Sequence, residues 1–407
     1  MTAGAKALSG LLAEIGSGRR DEPVACSCGC RMQSKGLQTK PLLSILGPVP
    51  YSRSMFQCPA CGKTRYPGDE ELDVAGTSRT PGLRRMMARA GSRSTFKEGQ
   101  DDLKVYAGIT VSAKDVERVA ETIGEEMEAW SNKERAMLFA QEPPARPEKE
   151  ISILYVCCDG TGIPMTKPEL AGRKGKQPDG SAKTREVKLG CVFTQAQTNA
   201  EDVPVRDPDS TSFVGAIESA EKFGWRIYAE AVRRGLWNAQ QVVVLGDGAR
   251  WIKGIAELHF PGAIQIIDLY HAREHVSDLC KILFASDETK AARHRIRWWT
   301  DLDGGKLEKV VAEACRELPA NSEPRKKAEK EIAYLDNNKA RMRYADFRDQ
   351  GLFVGSGVIE AGCKTVIGKR LKQSGMEWSL KGANAIISLR CTMTSGRLED
   401  FWESRCA

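Results

Sequence analysis

Four acidic residues stand where this chain could do chemistry. The apolar run "ISILYVCCD" ends in Asp159, "QVVVLGD" ends in Asp247 and "AIQIID" ends in Asp268. Continuous β-branched stretches of this length read as buried strands. In open α/β sheets, functional groups collect at the carboxyl ends of strands. Glycine follows both Asp159 and Asp247, in "CDGTG" and "GDGAR", and leaves room for backbone or substrate to approach. Aspartates at strand ends are also ordinary turn and cap residues, so the repetition within one segment is what singles these out. The fourth acid, Glu360, lies in "GSGVIEAGCKTVIGKRLKQSG". There Ser356 is placed to cap a helix with Ile359, Cys363, Val366 and Ile367 as its apolar stripe. Glu360 and Lys364 then sit one turn apart, the spacing of a common surface ion pair. The basic residues behind them, Lys364, Lys369, Arg370 and Lys372, put the carboxylate where it can meet a metal bound to phosphate. Three carboxylates are what two-metal phosphoryl transfer requires. Mg²⁺ or Mn²⁺ prefers oxygen ligands, and two such ions about 3.5–4 Å apart activate the attacking oxygen and stabilise the departing one.

Two further groups of residues carry chemical meaning. The segment 167–188, "KPELAGRKGKQPDGSAKTREVK", holds seven Lys/Arg against three acids. Such a run is often a solvated loop, but its place after Asp159 assigns Arg173, Lys174, Lys176, Lys183 and Arg185 to phosphate contacts, as it does the basic residues after Glu360. Near the N-terminus, "CSCGC" supplies Cys26, Cys28 and Cys30, and "CPACG" supplies Cys58 and Cys61. C-P-x-C-G is a zinc-knuckle pattern, because Pro and Gly allow the tight turn that aims backbone N–H groups at thiolate sulfur. A structural Zn²⁺ held by four of the five is expected. Cys28 is the surest of the first cluster, with Cys26 or Cys30 completing the set. Trp298-Trp299 reads either as core, at least in part, or as a wedge against distorted DNA.

The elements that must position these residues follow from composition and periodicity. The 407 residues suffice for two or three domains; 41% are hydrophobic and 28% charged. A formal charge of +7 favours a polyanionic partner. No apolar run suits a membrane helix and no signal-peptide pattern opens the chain, so a cytoplasmic, nucleoid-associated protein is expected. The thirteen cysteines, an odd number, fit a metal site and buried thiols better than a disulfide framework. Residues 1–21 form a leader and 22–75 a zinc-ribbon-like segment. Residues 76–140 form a small helix-turn-helix-like domain, with Pro81 near a helix start, Ser112 as an N-cap and Val116, Val119 and Ile123 on one face. "QEPPARPEKE" (141–150) is a linker. From 151 onward strands alternate with helices: "EVKLGCVFTQA" is a second strand, 212–235 is helical, and 271–350 contains no β-rich run. The fold class is therefore α/β, with a mixed or parallel sheet covered on both faces.

"VCCDGTGIPM", "GRKGKQPDGSAKTREVKLGCVF", "VVVLGDGARWI", "FPGAIQIIDLYHAREH" and "GSGVIEAGCKTVIGKRLKQSGMEWS" together resemble the ISKra-type transposases of bacterial insertion sequences, which belong with the Mutator-like DDE enzymes. The resemblance covers roughly residues 22–400. It implies an RNase H-like catalytic domain over 151–407 with an all-helical insertion at about 285–350. It places Asp159 on the first strand, Asp247 on the fourth and Glu360 on a helix after the insertion, as catalytic ligands of two Mg²⁺ or Mn²⁺ ions. Mutator-like enzymes also carry a [C/D]-x-x-H motif, and Asp268-Leu-Tyr-His271 matches its Asp form. Asp268 and His271 are on this account supporting groups beside the site; from its own surroundings His271 reads equally well as a core histidine.

The function implied is DNA cleavage and strand transfer, acting on the element's terminal repeats and on target DNA, by at least a dimer. Two other classes fit the same residues: a transposase-derived DNA-binding regulator, and an RNase H-like structure-specific nuclease that never joins strands. The residues leave open the terminal-repeat and target sequences, and also the choice between cut-and-paste and copying routes.

Overall fold

The alternation in "LLSILGPVPYSRSMFQC" becomes, in the computed structural model, a long antiparallel hairpin. The structure describes residues 3–142, 150–175, 177–320 and 322–405. They divide into two units, one of 1–127 with 399–407 and one of 128–398. In the first, helix α1 (Ala3–Ile15) precedes strands β1 (Gln33–Ser44), β2 (Gly47–Gln57) and β3 (Thr64–Arg65). The three strands form one sheet in chain order. Ala5 and Leu12 of α1 are buried with Leu42, Val49, Tyr51 and Val74. After the single turn α2 (Pro67–Glu71) come α3 (Pro81–Arg93), α4 (Phe96–Ala107) and α5 (Ala113–Phe139), within which the division falls. Local chemistry sets these ends. Pro81 opens α3, and Thr95 with Glu98 forms a capping box on α4. Gly108 ends α4 in the left-handed region, and Ser112 Oγ accepts from Asp115 N–H at 3.0 Å. Val116, Val119 and Ile123 are buried, as their spacing predicts.

The second unit is built on a five-stranded mixed sheet. In chain order its elements begin β4 (Ile151–Pro164), the short α6 (Lys167–Leu170) and β5 (Thr184–Gln195), then a small ribbon of β6 (Gln197–Thr198) and β7 (Pro204–Val205). Strand β8 (Ser212–Ala216), α7 (Ala220–Arg233), β9 (Ala239–Gly246), α8 (Arg250–His259) and β10 (Ile264–Ile267) complete the α/β layer. The order across the sheet is β10-β9-β4-β5-β8. β4 pairs antiparallel with β5 and β5 with β8, whereas β9 and β10 run parallel to β4. Leu154, Val156 and Cys158 of β4 are buried with Phe223, Ile227, Ile252 and Ile255, so α7 and α8 cover this face. On the opposite face Tyr155 stacks on Phe193 with ring centroids 4.7 Å apart, and Phe353 meets both rings edge-on.

Helices α9 (Leu269–Leu283), α10 (Glu288–Asp303), α11 (Leu307–Arg316), α12 (Ser322–Asn337) and α13 (Tyr344–Asp349) follow, and among the described residues 269–350 hold no strand. Trp298 is fully buried among them, with its indole N–H donating to Glu313 at 2.8 Å. Trp299 is half-buried and donates to the Arg273 carbonyl at 2.9 Å. The chain then returns to the sheet through α14 (Gly357–Gly362), a π-helical turn (Cys363–Gly368), α15 (Lys369–Leu371) and α16 (Leu380–Thr394), which packs along β8. No helix among the described residues is long and apolar enough to cross a membrane.

Three expectations need correction. β4 does not end at Asp159; it runs to Pro164, because β5 pairs along its whole length to Thr184 and the intervening glycines do not break the ladder. Residues 212–235 are not wholly helical. Ser212–Ala216 is an edge strand set by its pairing with β5, a non-local choice that five residues do not announce. Ser356 stands at the N-cap of α14 but its side chain makes no capping bond; its Oγ donates to Glu360 Oε1 at 3.1 Å. Lys176 and most of the predicted linker (143–149) lie outside the described residues.

Candidate active site

Strand alternation decides which way Asp159 faces. With Leu154, Val156 and Cys158 turned toward α7 and α8, Asp159 falls on the face that carries Tyr155. It also lies where the parallel neighbour stops, since Cys158 pairs with Gly246, the last residue of β9. The next residue there, Asp247, leaves the sheet and accepts from Ala249 N–H at 2.8 Å. Gly248 makes that turn at φ +82°, and a Cβ on it would lie 2.4 Å from the Tyr334 hydroxyl.

Asp268 follows β10 and is 3% exposed. Its Oδ1 accepts from His271 N–H at 2.8 Å and caps α9; its Oδ2 accepts from Ser356 N–H at the start of α14. Leu269 N–H also donates to the Val354 carbonyl at 3.0 Å. These bonds, with Phe353 anchored on Tyr155, fix where α14 begins and so where Glu360 points. Asp159, Asp247 and Glu360 thereby line one cleft of about 210 Å³, with Asp268, Tyr270 and His271 on its walls. His271 is not a core histidine: its side chain is 36% exposed and Nδ1 lies 3.4 Å from Glu274.

The helix that carries Glu360 is not a plain α-helix. At Cys363 it widens into the π turn, and the Arg390 guanidinium donates to the Thr365 and Val366 carbonyls in this stretch. The widening brings the Cys363 thiol 3.2 Å from Asp159 Oδ2. Among the described residues no ion pair joins Glu360 to Lys364; the acid is turned into the cleft instead.

The electrostatics of the cleft follow first from burial and then from its neighbouring acids. Burial pushes the Asp159 carboxyl above the usual range. Bonds from Cys363 and Gly160 oppose the rise, and the charges of Asp247 and Glu360 add to it. Burial likewise pushes the Cys363 thiol well up, so it remains a proton donor to Asp159. The carboxylates of Asp159, Asp247 and Glu360 offer oxygen, the donor a hard divalent cation prefers. Asp268 differs from these acids in having both oxygens bonded to backbone N–H groups. The local spacing of Cys363 places it in an apolar stripe and does not announce the contact with Asp159.

The basic residues separate into two kinds. Lys364, Lys369 and Lys372 are exposed, and Lys372 donates to Thr161 on β4. Arg370 is not a surface cation. It is 0% exposed, with its guanidinium 4.9 Å from the Trp378 ring, because it falls on the inward side of α15. Arg173, Lys174 and Lys183 are exposed, while Arg185 is half-buried and 3.4 Å from Glu169. Arg173, Lys174, Arg185 and Lys188 line a second cleft of about 250 Å³.

In the first unit Cys26, Cys28, Cys58 and Cys61 come together, their sulfurs all within 4.8 Å of one another. Cys26 and Cys61 are 3.5 Å apart, as are Cys28 and Cys58. Zn–S bonds of about 2.3 Å imply tetrahedral edges of about 3.8 Å, so the group has the size a metal such as zinc needs. The Cys61 and Ala60 N–H groups pull the Cys58 thiol down to about 6. Cys30 is not one of these four: its carbonyl accepts from Cys26 N–H at 2.9 Å, its side chain packs against the cluster of Val24, Cys26, Met32, Phe56 and Cys58, and contact with Cys28 pushes its thiol up.

A curated relative, the "UPF0236 protein in vanSb 3'region" of Streptococcus gallolyticus, is 21% identical over 385 residues, 90% of this chain and 75% of that protein. Among solved structures, the Drosophila P element transposase strand transfer complex aligns over 79% of this chain and 80% of that one. Its identity is 10% and its TM-score 0.26, a likeness too loose to bear on fold or function. The model of the uncharacterised protein family UPF0236 matches residues 29–404, and to that family this chain belongs.

Proposed function

We propose that this protein is a DDE transposase of the ISKra type, catalysing DNA cleavage and strand transfer with Asp159, Asp247 and Glu360 as its catalytic acids. The observation that carries the reading is the carboxylate cleft. Three acids from β4, the end of β9 and α14, far apart in the chain, share one opening, where burial, and after it the charges of Asp247 and Glu360, raise the proton affinity of Asp159. The strand order β10-β9-β4-β5-β8, antiparallel on one side of β4 and parallel on the other, supports the RNase H-like fold that the resemblance implies. The three acids would hold Mg²⁺ or Mn²⁺, which when bound activates the attacking oxygen and stabilises the leaving one. The chain's own residues do the positioning. Gly160 N–H and Cys363 hold the two oxygens of Asp159. Asp268 ties α9 to α14, and the exposed lysines 364, 369 and 372 supply charge for phosphates along the chain that follows Glu360. The four cysteines are assigned to a structural Zn²⁺. The partners are the element's terminal repeats and target DNA, paired by at least a dimer.

The test is a cleavage and joining assay with Mg²⁺ on DNA bearing the element's ends. Wild type yields joined product, and Asp159→Ala, Asp247→Ala and Glu360→Ala each drop it to background while retaining DNA binding. Cleavage without joining in the wild type would identify a nuclease instead, and binding without cleavage a regulator. Undiminished strand transfer in any one variant removes that residue from the site.

A further inference from the structure

Tyr270 is the exposed aromatic side chain of the carboxylate cleft. It is 62% exposed, although Leu269 and Ala272 beside it on α9 are buried. It lines the cleft together with Asp159, Asp247 and Glu360. The ring rests against bare backbone: a Cβ built on Gly355 would lie 3.4 Å from Tyr270 Cε2. The Arg273 guanidinium, one turn along α9, sits 5.7 Å from the Tyr270 centroid and 5.7 Å from that of Trp299. Arg273 is itself tied to Asp303. The ring is thus backed on one side and open to solvent, at the wall of a cleft whose other groups are mostly acids and polar side chains, with Ile359 and Cys158 among them.

A ligand that uses such a wall needs a flat apolar face close to a group that enters among carboxylates with a cation. A nucleic-acid strand has both, because every phosphodiester is flanked by bases whose π faces stack on aromatic rings regardless of sequence. The two tryptophans singled out in the sequence are poorly suited. Trp298 is fully buried, and the Trp299 indole N–H is bonded to the Arg273 carbonyl.

We propose that Tyr270 is a stacking platform for an unpaired base of the DNA strand beside the phosphodiester that enters the cleft. This rests on the reading of the cleft as a DNA strand-transfer site and adds a binding position to it. Melting a base out of a duplex costs free energy that stacking on a fixed ring offsets, so the position favours distorted or single-stranded DNA at the cut.

The full chain is tested with a single-stranded oligo-dT carrying one 5-iodo-deoxyuridine, with Ca²⁺ in place of Mg²⁺, under long-wavelength irradiation. A stacked iodouracil crosslinks to an aromatic ring, and mass spectrometry of the digest locates the adduct. The expected adduct is on Tyr270, retained on the new ring in Tyr270→Phe and lost in Tyr270→Ala. The alanine variant also binds the oligonucleotide roughly tenfold or more weaker, the range expected for one base–aromatic stack. Its melting temperature stays unchanged, since the side chain is exposed. An adduct elsewhere, or an alanine variant that crosslinks and binds like wild type, overturns the stacking role. If wild type also cleaves DNA with Mg²⁺, only that role falls; if wild type neither binds nor cleaves DNA, the reading of the cleft falls with it.

Discussion

Asp159 and Asp268 show how differently two aspartates after apolar runs are used. Asp159 keeps one oxygen on a thiol and one on its neighbour's N–H, and lines the cleft with the other acids. Asp268 turns both oxygens to buried backbone N–H groups at the first turns of two helices. Removing the second set is a structural change before it is a chemical one. An N–H group deprived of its acceptor costs about 1–3 kcal/mol, and a unit of this size loses about 2–4 °C per kcal/mol. Asp268→Ala is therefore expected to lower the melting temperature in EDTA by at least about 5 °C, with Asp268→Asn falling between. Calorimetry that finds the alanine variant as stable as wild type removes Asp268 from its positioning role. The aspartates of the candidate site were legible as residues, because an aspartate that ends an apolar run with three β-branched residues is conspicuous. Their ranking was not. That Asp268 is engaged with backbone depends on Ser356, a residue 88 positions away. The burial of Arg370 escaped a reading that takes any Lys/Arg run as solvent-facing.

At the scale of elements, periodicity located strands and helices but not what interrupts them. β4 reads through two glycines because its partner strand is continuous, and β8 exists because β5 offers an edge. The π turn after Glu360 has no sequence signature, yet it decides that Cys363 rather than Lys364 meets the acids. The cysteine hairpin is the opposite case. Its C-x-x-C turn is local chemistry and was legible; the choice among three cysteines needed the backbone, which brings the sulfurs of Cys26 and Cys28 together with those of Cys58 and Cys61 and leaves Cys30 outside that group. Zinc binding by this group predicts about one zinc per chain in purified protein. Cys28→Ser and Cys58→Ser should drop the metal content well below one, whereas Cys30→Ser should keep it. Chelation should speed hydrogen exchange over 24–66 without changing the carboxylate-bearing unit. Equal zinc loss in Cys30→Ser would return that residue to the ligand set.

At the scale of the molecule, the alternation of strands and helices made the α/β class legible, while the strand order was beyond it. Which strands are neighbours is a property of crossovers, and the helices α9 to α13 between β10 and α14 leave no trace of where the chain will rejoin the sheet. The same limit applies to charge. A net charge of +7 says that polyanions are attracted, not by which residues. The structure divides the basic residues by exposure, and that division has a measurable consequence. Each lysine or arginine that neutralises a phosphate of duplex DNA releases counterions and steepens the fall of affinity with salt by about 0.9 in log–log slope. Lys364, Lys369 and Lys372 are exposed; Arg370, between them in sequence, is not. Replacing Lys369 by alanine should weaken duplex binding at low salt and flatten the slope by about one unit, with the melting temperature unchanged. Replacing Arg370 should do the reverse, since removing a buried cation leaves a cavity under Trp378: the protein melts earlier while the slope of its folded fraction stays that of wild type. Fluorescence anisotropy across a salt series, paired with thermal melts, reads both quantities on the same proteins. Flattening by Arg370→Ala, or none by Lys369→Ala, would show that exposure in the free chain does not decide which cations meet DNA. The basic stretch after Glu360 would then have to rearrange on binding.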